Sequence, residues 1–376
     1  MPALPATFND FLGNSAAIEH LRTAIAAGRL PHSLILAGPS GAGKYTLALM
    51  LAMAVECERQ PRDLWSNGQS LATFCGVCHN CTRIASVANL EEEVNKAVAI
   101  REELREADKK DTRVLIQPHP DVLIIPPDPP QLLIKLGQIR TLIQRAHYLP
   151  SEAPRRIFIL TASNFMKEAA NSLLKVLEEP PEFATIFLLT ENAGELLPTI
   201  RSRSMIFPLG ALLAEEIESY LAQHRPDWNV HQRALVARLC GGAIGRARSF
   251  DLAAYVAARA NALNILKSAL PGGGEHSELF KITESYRAGA EGREKTEQLI
   301  RTLYSLLRDL MFLASDAPEL VRNTDIQQDL QKLANAADFA WIAFASDRLG
   351  EVERGMRRNL LRSLSLDAFA TALEKV

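Results

Sequence analysis

The chain has 376 residues, of which 47% are hydrophobic, 23% charged and 6% aromatic, and 42 Lys and Arg stand against 44 Asp and Glu for a net charge of -2. Those proportions fit a folded, water-soluble chain of two or three domains and exclude collagen-like, disordered and membrane-embedded ones. The near-neutral balance excludes a globally basic grip on nucleic acid, so any DNA contact needs a local patch or a partner.

No apolar run reaches the roughly 18 residues of a membrane helix. The start, MPALPATFNDFLGN, carries Asp10 and lacks the basic-then-apolar order of a signal peptide. A cytoplasmic location without membrane contact is expected. Taken along the chain, Ser33 to Leu36 is a short apolar run ending in a Gly-rich turn, followed by an amphipathic helical run from Tyr45 to Val55. Val122 to Ile125, Ile157 to Leu160 and Ile186 to Leu189 are apolar on successive residues, the pattern of strands buried on both faces of a parallel sheet. This α/β pattern ends near Phe207-Pro208 and predicts a first domain at 1–208. Short helical segments over 209–252 predict a helical lid, and 253–376 reads as an all-α domain broken by the loop Pro271 to Gly274. A charged insert at about 88–113 centres on Leu90 to Lys110, with Leu90, Val94, Ala97 and Leu104 near one helical face. It fits either a protruding contact helix or a solvated surface helix.

Residues 38–46 read GPSGAGKYT, so that Gly38, Gly41, Gly43 and Lys44 have the spacing of a phosphate-binding loop between strand and helix. Glycines let backbone N–H groups turn toward phosphate oxygens, the helix N-terminus favours the anion, and a lysine reaches the terminal phosphates. The next position normally offers a Ser or Thr hydroxyl to Mg²⁺, but this chain has Tyr45, whose phenol oxygen lies too far from the backbone for that place. Thr46 comes one residue late. The strand Arg156 to Leu160 runs into Thr161-Ala162, where a P-loop ATPase carries the acid that holds Mg²⁺ and a neighbouring Glu. Neither residue is a general base at neutral pH. ATP or ADP fits the loop; hydrolysis does not.

Cys57, Cys75, Cys78 and Cys81 are spaced C-x17-C-x2-C-x2-C. Four thiolates can close a tetrahedral shell about one zinc ion and leave no place for water, which makes the ion structural. His79 is expected at the surface, although it could substitute as a ligand, and Cys240 reads as a buried small apolar residue. His32 reads as a packing residue. Thr190 is expected to hydrogen-bond locally, and Glu178 with Glu179 to be solvated or at an interface.

The run EAANSLLKVLEEPPEFATIFLLTENAGELLPTIRSRS, together with FNDFLGNSAAIEHLRTAIAAGRLPHSLILAGPSGAGK and HPDVLIIPP, closely resembles the AAA+ clamp-loader family of bacterial DNA polymerase III. The resemblance covers the first two predicted domains well and the last more loosely, through RRNLLRSLSLDAF. It implies an AAA+ domain with an inserted zinc module (57–81), a lid and a helical collar. Within the family the non-hydrolysing delta-prime branch fits best. Its lid has Gly at the nucleotide-sensing position, here Gly245 in Gly242-Ala243-Ile244-Gly245-Arg246-Ala247; Arg246, one step on, is expected to face elsewhere. By the same resemblance Ser202-Arg203-Ser204 matches the family's Ser-Arg-Cys motif, and Arg203 is an arginine finger reaching in trans to ATP on a neighbour. Judged from the residues alone, Arg203 reads as a surface cation at a strand end paired with a local carboxylate. The implied partners are the gamma/tau and delta subunits, and through them the sliding clamp and primer-template DNA. The alternatives are an ATP-hydrolysing gamma/tau-type subunit and a zinc-stabilised nucleotide-binding adaptor outside the loader.

Overall fold

The structure, a computed structural model, describes residues 4–64, 70–105, 108–109, 112–129, 131–270, 289–357 and 362–373. The chain forms two compact units: Met1–Leu212 with Gly242–Arg246, and Leu213–Gly241 with Ala247–Val376. The expected loop at Pro271 to Gly274 lies outside the described residues, as does Lys110 of the insert.

In the first unit the strands are β1 (Ser33–Ala37), β4 (Ile116–His119), β5 (Val122–Ile125), β6 (Arg156–Leu160), β7 (Ala184–Thr190) and β8 (Met205–Pro208). They form one sheet in the order β4-β5-β6-β7-β1-β8, parallel except for β4. Every residue of β1, β5, β6 and β7 is buried, and alternate residues feed two cores. Leu34, Leu36, Val122, Ile124, Ile157 and Ile159 enter one apolar cluster; Ile35, Ala37, Leu123, Ile125, Phe158 and Leu160 enter the other. Side chains alternate across a strand, so a strand covered on both faces is apolar at most of its positions. A two-stranded hairpin, β2 (Arg62–Leu64) with β3 (Ser70–Ala72), lies apart from the sheet.

The helix after β1, α2 (Lys44–Glu56), departs from the amphipathic expectation: Leu47 through Glu56 are all buried. A helix enclosed on all sides is apolar all round rather than along one stripe, and LALMLAMAV is apolar throughout.

Asp121 ties two segments of this unit together. Buried at the start of β5, its carboxylate accepts N–H bonds from Ser151, Glu152 and Ala153 at 2.8–3.2 Å and pairs with Arg156 at 3.1 Å. Arg156 in turn donates to the Leu149 carbonyl at 2.9 Å, so the loop entering β6 is held from both sides.

The second unit is helical. Its first helices are Ala214–His224, Val230–Leu239 and, starting within the first unit, Ile244–Arg248. Leu252–Ser268, Gly289–Ala314, Gln327–Ala336, Phe339–Arg357 and Arg362–Leu373 follow and share an apolar core that includes Ile265, Leu303, Leu310, Trp341, Leu349 and Phe369. A buried polar knot pins Asn323: it accepts from Tyr255 at 2.7 Å and Arg259 at 3.0 Å and donates to Asp309 at 2.8 Å.

Asp121→Ala is expected to destabilise the first unit by about 3–5 kcal/mol, because it strands the buried Arg156 and three amides. The check is a lower urea midpoint together with faster hydrogen exchange in β5 and β6.

Candidate functional site: a P-loop and a four-cysteine cluster

β1 lies between β7 and β8, so the loop leaving its C-terminal end opens where successive connections run to opposite sides, the usual ligand position in an α/β sheet. Gly41 and Gly43 have φ of +82° and +86°, a region that only glycine enters without strain. The loop's two ends are anchored: the Gly38 N–H donates to the Thr190 carbonyl at 3.1 Å, and the Leu47 N–H to Gly43 at 2.8 Å. Lys44 curls onto the loop, its Nζ donating to the carbonyls of Gly38 at 2.6 Å and Pro39 at 2.8 Å. Burial lowers its pKa, and the nearby Glu191 opposes that effect.

Tyr45 turns away from the metal-ligand role. Its hydroxyl donates to the Val87 carbonyl at 2.8 Å, and its ring packs against the same apolar cluster as Leu90 and Val94. Burial, aided by the charge of Glu93, raises the phenol's pKa, so the oxygen stays protonated at neutral pH. Thr46 is half-buried, one residue further along α2. At the end of β6, Thr161 Oγ1 is buried with no hydrogen-bond partner among the described residues, and no carboxylate follows it in sequence. Thr190, at the end of β7, donates to the Asn192 carbonyl at 2.9 Å and accepts the Asn192 N–H at 3.2 Å, which is the local bonding expected of it.

The helix α4 (Leu90–Glu102) packs Leu90 and Val94 on the core, and Arg101 bonds to the fully buried Asp128 at 2.5 Å. Ion pairs from Lys96 to Glu92 and Glu93 run along its outer face. Leu104, grouped with Leu90, Val94 and Ala97 near one helical face, lies beyond the helix end and is 36% exposed.

Segment 242–246 closes against the loop. The Gly245 N–H donates to the Gly41 carbonyl at 2.8 Å, and a Cβ at Gly245 would lie 2.9 Å from that oxygen. The backbone nitrogen of Arg246 also comes close to the loop, 2.9 Å from a Cβ placed at Gly41. A Cβ at Gly41 would lie 2.8 Å from its Cγ, because packing of the segment on the loop brings both residues to Gly41.

The four cysteines converge. Their sulfurs all lie within 4.8 Å of one another, with Cys57 to Cys78 at 4.0 Å. A tetrahedron of zinc–sulfur bonds has edges of about 3.8 Å, so the set is close to that shape. Backbone N–H groups of Cys75, Cys78 and Cys81 point at the sulfurs of Cys57, Cys75 and Cys78 at 3.4, 3.3 and 3.5 Å. Burial of Cys57, Cys78 and Cys81 excludes water from the centre. His79 is exposed and pairs with Arg83 Nη1 at 3.3 Å, and Cys240 is buried in the second unit. His32 is half-buried, its ring 3.4 Å from the Ala184 carbonyl. These donors fit a single thiophilic ion.

Arg203 lies between a one-turn helix (Pro198–Arg201) and β8, exposed. Its Nη2 pairs with Glu178 at 2.9 Å and its Nη1 donates to the Thr199 carbonyl at 3.0 Å. The Glu178 partnership was not visible in the sequence, where Glu178 and Arg203 stand 25 residues apart.

A Gly-rich loop between a buried strand and a buried helix, on a sheet with this strand order, makes the first unit a P-loop α/β domain. The chain belongs to the family described as "DNA polymerase III, delta subunit", whose model matches residues 13–212. It is 30% identical over 220 residues to the DNA polymerase III subunit gamma/tau of Mycobacterium bovis, covering 58% of this chain and 31% of that one. It is also 30% identical over 220 residues to the DNA polymerase III subunit delta' of Bacillus subtilis, covering 58% and 54%. The chain thus spans about a third of the first relative and half of the second. Among solved structures, a gamma subunit-related protein from Thermotoga maritima aligns over 94% of this chain and 98% of its own at 18% identity, with a TM-score of 0.39, too loose a likeness to support further argument.

Purified chain is expected to carry about one zinc ion, measured by elemental analysis after dialysis. Cys78→Ser should lose most of it, whereas Cys240→Ser should keep it.

Proposed function

We propose that this chain is the delta-prime, stator-type subunit of a DNA polymerase III clamp loader. It is a cytoplasmic AAA+ protein that helps to load the sliding clamp on primer-template DNA while its neighbours hydrolyse ATP. The observation that carries this reading is the pair of lost catalytic groups: the Tyr45 hydroxyl is committed to Val87, and β6 ends in Thr161-Ala162 without an acid. A P-loop with neither metal ligand nor water-polarising carboxylate can hold phosphate but cannot complete phosphoryl transfer.

In this reading Gly38, Gly41, Gly43, Lys44, Tyr45 and Thr46 form a vestigial nucleotide cradle that takes ATP or ADP without turnover. Cys57, Cys75, Cys78 and Cys81 hold a structural zinc ion. Arg203 acts in trans on the γ-phosphate of ATP bound to a gamma/tau neighbour, where a planar guanidinium neutralises charge spread over the phosphoryl oxygens. Its exposure and its place at a chain turn support that role. The three-part division at 1–208, 209–252 and 253–376 belongs to the same reading, with the last part as the collar that meets the other gamma/tau and delta subunits.

The gamma/tau-type alternative draws on the intact glycines and Lys44 and on the equal identity to a gamma/tau relative. ATP turnover by the complex reconstituted with gamma/tau and delta subunits separates the two. A stator predicts that Arg203→Ala lowers clamp-stimulated turnover by at least about tenfold, given that such a finger contributes about 10³–10⁵ at a single site. Lys44→Ala would leave it nearly unchanged. A motor predicts the reverse order, and a chain that joins no such complex is an adaptor instead.

A further inference from the structure

The first unit holds a cavity of about 420 Å³ at the end of the sheet opposite the P-loop. Strands β1, β6 and β7 run parallel, so the residues just before β1 and β6 mark that end. Leu30 and Arg155 lie there, beside the last turns of two helices. Those turns supply Ile25 and Ala26 of α1 (Ser15–Ala26) and Val55 of α2, and β2 contributes Arg62. The volume falls in the range of small-molecule sites.

The walls are largely apolar, and the charge is all of one sign. Arg62 and Arg155 line the cavity, and among the described residues no Asp or Glu does. Arg155 is half-buried, and burial lowers its pKa against the opposing charge of Glu56. Its Nη1 donates to the Thr185 hydroxyl at 3.2 Å and the Leu30 carbonyl at 3.4 Å, and its Nη2 to the Gly28 carbonyl at 3.4 Å. All three acceptors are neutral. Glu56 does not bond to it, since both Glu56 oxygens are unpartnered among the described residues. A guanidinium has more N–H donors than these bonds use. Taken partly out of water without a bonded counter-anion, it is held at a cost that an anion in the cavity would relieve.

We infer that this cavity is a binding site for a small organic anion. The anionic head pairs with Arg155 and Arg62, and an apolar body lies against Ile25, Leu30 and Val55. The site shares no residue with the P-loop, so it stands apart from the stator reading and does not depend on it.

A fluorescence titration of the full-length chain with 8-anilinonaphthalene-1-sulfonate, an apolar ring system bearing one sulfonate, tests this. The folded wild type is expected to bind the dye saturably. Octanoate should displace it, with 1-octanol at least about tenfold less effective, because the alcohol cannot make a charge-assisted hydrogen bond. Inorganic phosphate, which has the charge without the body, should not displace it at the same concentration. Arg155→Gln should weaken dye binding by at least about tenfold, the size of one such bond. Ala26→Leu, which fills part of the cavity and keeps both arginines, should weaken it by a similar factor. Arg348→Gln removes a charge in the second unit and should leave binding unchanged. Four results would overturn the site: no saturable binding, octanol competing as well as octanoate, displacement by inorganic phosphate alone, or full affinity in either cavity variant. Should Arg155→Gln lower the urea midpoint, Ala26→Leu and the octanoate–octanol comparison on the wild type still decide.

Discussion

Enclosure of the P-loop helix is the constraint on which the first unit depends. From Leu47 to Glu56 every residue of α2 is buried, and its apolar residues share one cluster with strands of the sheet, the clustered cysteines and Leu90 and Val94 of the insert. Such a helix cannot tilt without opening a core packed at crystal-like density. Cys57, the first of the four clustered cysteines, is its next residue, and Tyr45 near its start bonds to the Val87 carbonyl, ahead of the insert. A helix that in a motor protein serves the phosphates at its N-terminus here anchors a different element at each end.

The same helix puts a tyrosine to structural use where a shorter hydroxyl is expected. A Ser or Thr after Lys44 is too short to reach the Val87 carbonyl, whereas the Tyr45 phenol spans the distance at 2.8 Å. Glu56, at the other end, is 1% exposed, with both carboxylate oxygens unpartnered among the described residues. Burial, together with the charge of Asp121 and against that of Arg155, pushes its pKa up to about 9, so it sits in the core as a neutral acid.

The main strands were legible because a doubly covered strand is apolar on successive residues: Val122–Ile125 and Ile157–Leu160 lie in strands where their apolar runs placed them. The hairpin strands β2 and β3 were not, because three-residue strands carry no period. The edge strand β8 was hidden for another reason: Met205 and Ile206 are exposed, so its burial pattern is not that of the central strands. The loop glycines and the cysteine set could be read from spacing alone, since both motifs are local chemistry. The Tyr45–Val87, Gly41–Gly245 and Glu178–Arg203 contacts could not, because each joins residues far apart in sequence through the tertiary fold.

The ion pair of Arg203 with Glu178 has a consequence for how the guanidinium would be released. Both partners are substantially exposed, at 35% and 50%, and such a pair holds by no more than about 1 kcal/mol. The side chain is thus parked rather than locked. A polyphosphate on an approaching surface competes with a single carboxylate, and because solvent ions screen the resting pair, dilute salt favours the parked arrangement and concentrated salt loosens it. In the role proposed for Arg203, Glu178 is a placeholder anion that a more highly charged acceptor would displace.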